Sequence, residues 1–508
     1  MLLLLYNISF IVVDFWAIDR GMTIIGFIKS LFLVNFIVLM IQNNNYIDAV
    51  DKFRLLPYSA TVSVVLSIIF AIISSELFFL NGRLQGLFLY ANSYALFLLV
   101  SLLILLQKGE IRGNRLCMAI IILVGILLTN SRAIILLTIL FMFVEIFITS
   151  EMKNRKRIIT LILCFCLIFV GMNKFFKFEK RINSGMFQSS EFLTRLLYYS
   201  DALKMVVEKP CGYGYMGWYY AQATEKTAVY DTKYVHNSIL QYLLDVGVVP
   251  TISIIFLVCL IFFQKGQSSF NRMLIILILG HSMIDIDLEY LFFVAIILGM
   301  AHYETKEYVF DIVKRNIAKL IIAINYVFHI GTLTFSCGGY GFASVVIPFY
   351  TDAIQEGLYS STNAEMQLKL GKRCLKYNKN ISGGYEALEN YYVDEKDYDN
   401  ASICALKRVK LNKYDIEIYE EYIVLLNEAL NYYQENNDKN KVYEYANKII
   451  YVEQLISEVL TNTNPLAYKV KHIPEIKLSN DMLNIIEKSK NIICENQEIL
   501  SEFKEESM

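Results

Sequence analysis

Apolar runs of membrane-crossing length recur through the first two thirds of this chain, and they constrain its fold more than any other feature. A bilayer span needs about 20 mostly apolar residues, with a working range of about 17–25. Runs near that length fall at roughly 2–18, 22–41, 58–80, 84–106, 115–129, 133–149, 158–173, 239–263, 272–286, 288–302 and 317–336. About eleven such runs predict an all-α polytopic membrane protein, because backbone polar groups in lipid must be satisfied inside the segment itself. Composition agrees, with 56% hydrophobic and 19% charged residues over 508, against about 45–50% and about 25% in soluble chains. The opening "MLLLLYNISFIVVDFWAI" has no basic n-region and no small-residue cleavage site. It is therefore expected to be a first span and not a removable signal.

Lysine and arginine in the short loops set the orientation. One set of alternate loops carries Lys52, Arg54, Lys108, Arg112, Arg115, Lys153, Arg155, Lys156, Arg157, Lys265, Arg272, Lys306, Lys314 and Arg315; the other carries Arg20, Arg83 and Arg132. The first set is expected in the cytoplasm. The N-terminus is then inside, while the long loop 174–238 and the chain after about 337 are outside. Residues 1–336 form a membrane domain on this reading and 337–508 an extracytoplasmic helical domain. From Thr351 onward the net charge is near −8, and the remainder is near +7. No part of the chain suits nucleic acid.

The tail stretch "YEALENYYVDEKDYDNASICALKRVKLNKYDIEIYEEYIVLLNEALNYYQ" (385–434) reads as short amphipathic helices joined by polar turns. Two such hairpins at roughly 34-residue spacing resemble tetratricopeptide units, although the consensus glycine and proline are missing. A plain small helical domain is the alternative. The nine cysteines form no CxxC and no zinc-like spacing, so no metal site is expected.

Four stretches fall on the outer face. "NGRLQGLFLYANSYA" (81–95) holds Arg83 and Asn92, and "TNSRAIILL" (129–137) holds Arg132. The loop carries "EFLTRLLYYSDALKMVVEKPCGYGYMGWYY" (191–220) and ends in His236-Asn237, and "HSMIDIDLEY" (281–290) carries Asp285, Asp287 and Glu289. An arginine fork grips phosphate bidentately, and a histidine can take a proton from an incoming hydroxyl near neutral pH. Tyr213, Tyr215, Trp218, Tyr219 and Tyr220 offer flat faces for stacking on sugars. Each has a plainer reading. Arg83 suits interfacial snorkelling, Arg195 a solvent-facing helix surface, Tyr and Trp an interfacial belt, and Asn237 with Ser238 a helix cap. Asp285 and Asp287 suit ordinary turns, or the orientation of His281 or of a charged partner.

Together, in this order over residues 80–302, "GRLQGLFLYANSYA", "NSRAIILL", the arginine of "TRLLYYSDALKMVVEKPCGYGYMGW", "HNSILQYLLDVG" and "HSMIDIDLEY" resemble the bacterial O-antigen ligase and O-antigen polymerase superfamily. The resemblance implies a GT-C-like membrane glycosyltransferase of the bacterial cytoplasmic membrane. It would move a glycan from undecaprenyl pyrophosphate to an acceptor hydroxyl at the outer face, without metal, nucleotide sugar or other cofactor. It further implies His236 as base, and Arg132 and Arg195 on the leaving pyrophosphate. Arg83, Asn92, Tyr213, Trp218, Asn237, Asp285 and Asp287 are then candidates for substrate binding. The acceptor is a glycan, lipid, wall polymer or protein, and the tail is a candidate surface for a protein partner. Repeat-unit polymerisation fits the same motifs, with the exposed tail favouring ligation to a final acceptor. A flippase for the same lipid-linked glycans is the rival from another class. Against it, ionisable residues near the expected mid-membrane depth are sparse and the halves show no repeat. A membrane-anchored scaffold would leave the arginine and histidine cluster unexplained.

Overall fold

The computed structural model describes residues 1–42, 49–73, 78–107, 111–148, 152–176, 190–302, 312–336 and 338–505. Lys108 and Lys306 of the orientation argument, and residues 177–189 of the outer loop, lie outside the described residues. Among the described residues the fold is all-α apart from one small hairpin, in which Phe79–Leu80 pairs antiparallel with Arg83–Leu84.

By length and composition, two helices suffice to cross a bilayer among the described residues, Arg20–Val38 and Leu56–Ile73. Shorter apolar helices follow at Leu2–Trp16, Ala91–Gln107, Asn114–Leu128, Val248–Phe262 and Lys319–Phe335. Several of the expected spans thus form as shorter or interrupted helices. The run 288–302 yields Leu291–Gly299, and 239–263 divides at Gly247 into Ser238–Val246 and Val248–Phe262. Gly247 stands at φ 85°, and a Cβ there would lie 2.7 Å from the Pro210 carbonyl oxygen. Only glycine takes this conformation at such close approach without strain. The break has a structural use. Val248 N–H donates to the Pro210 carbonyl at 2.9 Å, and the Leu244 and Asp245 carbonyls accept from Tyr213 and Gly214 N–H at 2.6 and 3.0 Å. Helix-end carbonyls that would otherwise lack partners are thereby bonded to the outer loop.

Ala91–Gln107 lies at the centre, buried at every position from Ser93 to Leu106. A helix apolar all round belongs inside a bundle. Other helices turn large apolar residues outward, such as Val62, Val65, Ile69 and Ile72 on one and Ile252, Phe256 and Leu260 on another. Contiguous exposed patches of that kind suit contact with lipid.

Buried residues on both sides of the expected division pack together. One continuous core runs from Leu3 to Ala387, and a second runs from Tyr398 to Ile486. The buried carboxylate of Asp19 fastens the first part of the tail, accepting from Thr351 Oγ1 and Asn378 Nδ2, each at 2.9 Å. Beyond Ala387, helices Tyr398–Leu411, Ile416–Glu435 and Lys439–Thr461 pack in sequence. Asp397, Asp415 and Asp438 cap them by accepting backbone N–H groups. Ala467 and Val470 join a third core with the outer-loop residues Leu197, Ala202 and Trp218. The tail is thus anchored on both the membrane part and the loop.

Candidate active site

Three of the four stretches, 81–95, the loop that ends in His236 and 281–290, meet at the turn between helices Ser269–Ser282 and Leu291–Gly299, and 129–137 joins them through Arg83. At its centre the His236 Nδ1 faces Asp285 Oδ1 at 3.4 Å. Asp285 also accepts from the Tyr90 hydroxyl and from Asn92 Nδ2, each at 2.6 Å. The Tyr90 oxygen is itself 3.4 Å from His236 Nδ1. From the other side, Arg195 donates to the Ile284 carbonyl at 2.8 Å and comes within 3.8 Å of Asp285 Oδ2.

Local sequence explains how the imidazole is held. Asn237 begins the helix Ser238–Val246, its side-chain oxygen accepting from the N–H groups of Ile239 and Leu240 at 3.1 Å. Its amide donates to the Met283 carbonyl at 2.9 Å, and Ser238 Oγ donates to the Asp285 carbonyl at 3.0 Å. His236, directly before this cap, stands at φ 58°, a left-handed conformation uncommon outside glycine. Tyr199 fixes it by donating to the His236 carbonyl at 2.8 Å. Tyr198 stacks on the imidazole with centroids 6.2 Å apart. Nδ1–H directed at Asp285 leaves Nε2 as the basic nitrogen. The His236 side chain is 22% exposed, so the ring is open to solvent.

The other sequence candidates divide. Arg83 donates to the Thr129 carbonyl at 3.0 Å and, with its other arm, to Asn92 Oδ1. It thereby positions Asn92, and through it Asp285, instead of lying as a snorkelling side chain. Thr129 belongs to the turn from which Arg132 opens the helix Arg132–Ile148, so this bond ties the Arg132 turn to the cluster. Asn237 has its side chain engaged in capping, which makes it a positioning residue and not a substrate contact. Asp287 is fully buried on His281 Nδ1 at 2.5 Å and Ser93 Oγ at 2.8 Å. This contact with His281 is one of the uses weighed for Asp287 in the sequence.

Tyr213 and Trp218 do not fit the stacking role. Trp218 is fully buried against Tyr198 and Tyr230. Tyr213 is buried with its hydroxyl on the Met205 carbonyl at 3.0 Å. The glycines around them let the loop fold tightly, and its aromatics became the core of that fold. Tyr90, Tyr198 and Tyr199 were not singled out from the sequence. A tyrosine beside a membrane helix reads as a belt residue, and only the contact with Asp285 distinguishes Tyr90. Among the described residues, no group of His, Cys, Asp and Glu is arranged to hold a metal ion.

Residues 117–255 match the family model described as O-Antigen ligase. The match bears out the resemblance drawn from the motifs. It includes Arg132, Arg195 and His236, whereas Tyr90, Asn92 and Asp285 lie outside it and join through the fold. No curated protein and no solved structure matches the chain.

Proposed function

We propose, starting from an O-antigen ligase match across residues 117–255, that this chain is a membrane glycosyltransferase of the ligase type. It moves a glycan from undecaprenyl pyrophosphate to an acceptor hydroxyl at the outer face of the bacterial cytoplasmic membrane. The family supports O-antigen ligase or polymerase chemistry, a membrane setting and a lipid-linked glycan substrate in general; the rest is our reading. The observation that carries it is the meeting of His236, Asp285, Tyr90 and Arg195, distant from one another in sequence, at one partly exposed point.

The chemistry is a displacement at the anomeric carbon. His236 Nε2 takes the acceptor hydroxyl proton as the new C–O bond forms. The bond to the pyrophosphate oxygen breaks with its electron pair, and the configuration inverts. Arg195 and Arg132 stabilise the charge that grows on the departing pyrophosphate. Asp285 holds the imidazole tautomer and balances the imidazolium. Arg83, through Asn92, holds Asp285.

In this arrangement the N-terminus is cytoplasmic, about eleven segments enter or cross the bilayer, and the tail after the last is outside. The helical tail presents the acceptor or a protein that delivers it. The test is the mass profile of lipid-linked glycans in the native host with and without the protein. Long chains stranded on the carrier, with the final conjugate missing, support ligation. Single repeat units accumulating would instead identify a polymerase, and an unchanged profile would overturn both.

A further inference from the structure

A cavity of about 410 Å³ opens between the helices Arg20–Gln42 and Ile312–Ser336 and beside the loop that leads to His236. Its walls are apolar, with Ile25 and Ile28 from one helix and Phe328 and Phe335 from the other. Its polar lining combines two cations, Lys29 and Lys233, with one carboxylate, Asp352, and with the phenols of Tyr215, Tyr234 and Tyr350. Ile25, Ile28 and Lys29 lie within about 14 Å of the N-terminal end of their helix at 1.5 Å per residue. Phe328 and Phe335 lie near the C-terminal end of theirs. In the orientation argued above both ends are outer, so the cavity occupies the outer half of a hydrocarbon layer about 30 Å thick.

We infer that this cavity is the site of the lipid-anchored acceptor, with its chain between the two helices and its phosphate on Lys29 and Lys233. The inference rests on the proposed transfer reaction, which needs two substrates at one base. Arg195 reaches that base at Ile284 and Asp285, whereas Lys29 holds Glu289 at the far end of the same turn at 3.2 Å. The cavity lining also includes Tyr234, two residues before His236 and hence within about 7 Å of chain from it. An acceptor head group seated there lies beside the imidazole, on a different set of cations from the donor.

The lysines suit the task. An ammonium has three donors. Lys29 uses two, on Glu289 at 3.2 Å and on the Tyr215 hydroxyl at 3.0 Å. Lys233 meets Asp352 at 3.4 Å and is 49% exposed. Asp352, 13% exposed and also accepting from the Tyr220 hydroxyl at 2.7 Å, engages one side of the Lys233 ammonium, which has three donors to share with a phosphate.

The test is photo-crosslinking of a diazirine-bearing polyprenyl phosphate to the full chain in phosphatidylcholine nanodiscs. Adducts are expected on peptides covering 20–29 and 328–335. Lys233→Gln should lower them about fivefold to tenfold, as loss of one charge-assisted contact implies. Ile25→Trp, which fills the cavity, should abolish them, and Arg195→Ala should leave them unchanged. Adducts confined to 129–132 and 190–196, or adducts on 20–29 and 328–335 that are lost in Arg195→Ala, would assign the lipid to the donor site alone and overturn the inference. Even labelling of all outward helices, insensitive to every variant, would overturn it as well. Labelling does not depend on turnover. Loss of the transferase reading, through full activity in a His236 variant, would therefore be seen separately.

Discussion

Two histidine–aspartate pairs stand in the same neighbourhood, and they differ in almost every respect but chemistry. His281 and Asp287 are 2.5 Å apart with side chains 1% and 0% exposed. His236 and Asp285 are 3.4 Å apart, and His236 is 22% exposed. The first pair lies within one short stretch and is closed off by Ser93. The second joins distant parts of the chain, adds a tyrosine and an arginine, and places its histidine in a left-handed backbone conformation. Pairing with a carboxylate is thus common to both, and what sets His236 apart is access, looser geometry and convergence of charge, the features on which its proposed role rests.

The largest effect should come from removing the accessible imidazole. His236→Asn keeps a side chain that tolerates the left-handed backbone. It should slow glycan transfer about 10²–10⁴-fold, the usual weight of a general base, with thermal unfolding unchanged. His281→Ala should do the reverse. It leaves the buried Asp287 carboxylate with Ser93 alone, costing about 3–5 kcal/mol of stability, measurable as a lower unfolding temperature in detergent. Transfer per folded molecule should stay within a few-fold of the parent.

Smaller effects separate the parts of the accessible pair. Asp285→Asn should reduce transfer about 10–100-fold, as loss of a histidine-orienting carboxylate does. Tyr90→Phe removes one neutral donor to Asp285 and should reduce transfer only a few-fold. A Tyr90→Phe loss as large as that of His236→Asn would make the phenol, not the imidazole, the reacting group.

Much of this was legible in the chain. The all-α class followed from apolar runs with the helical backbone as their natural solution in lipid. The four outer stretches stood out because arginine, histidine and aspartate are costly beside apolar runs and are placed there for a reason. Other features were not legible, for physical reasons. The division at Gly247 needs a backbone contact with Pro210 that no local pattern announces. Trp218 looks like a surface platform until Tyr198 and Tyr230 cover it. The continuation of the first core to Ala387 depends on Asp19 meeting Thr351 and Asn378, more than three hundred residues away. Tyr90 belonged to a quoted stretch and still carried no signal, since its part is set only by Asp285.

One experiment decides between the two pairs. Purified protein reconstituted in lipid, given undecaprenyl-pyrophosphate-linked glycan and acceptor, is compared as parent, His236→Asn and His281→Ala, with rates taken per folded molecule. Transfer lost in the first variant and retained in the second is the expected result. Transfer retained in His236→Asn, with the protein folded, would remove His236 from the chemistry and with it the mechanism proposed for this site.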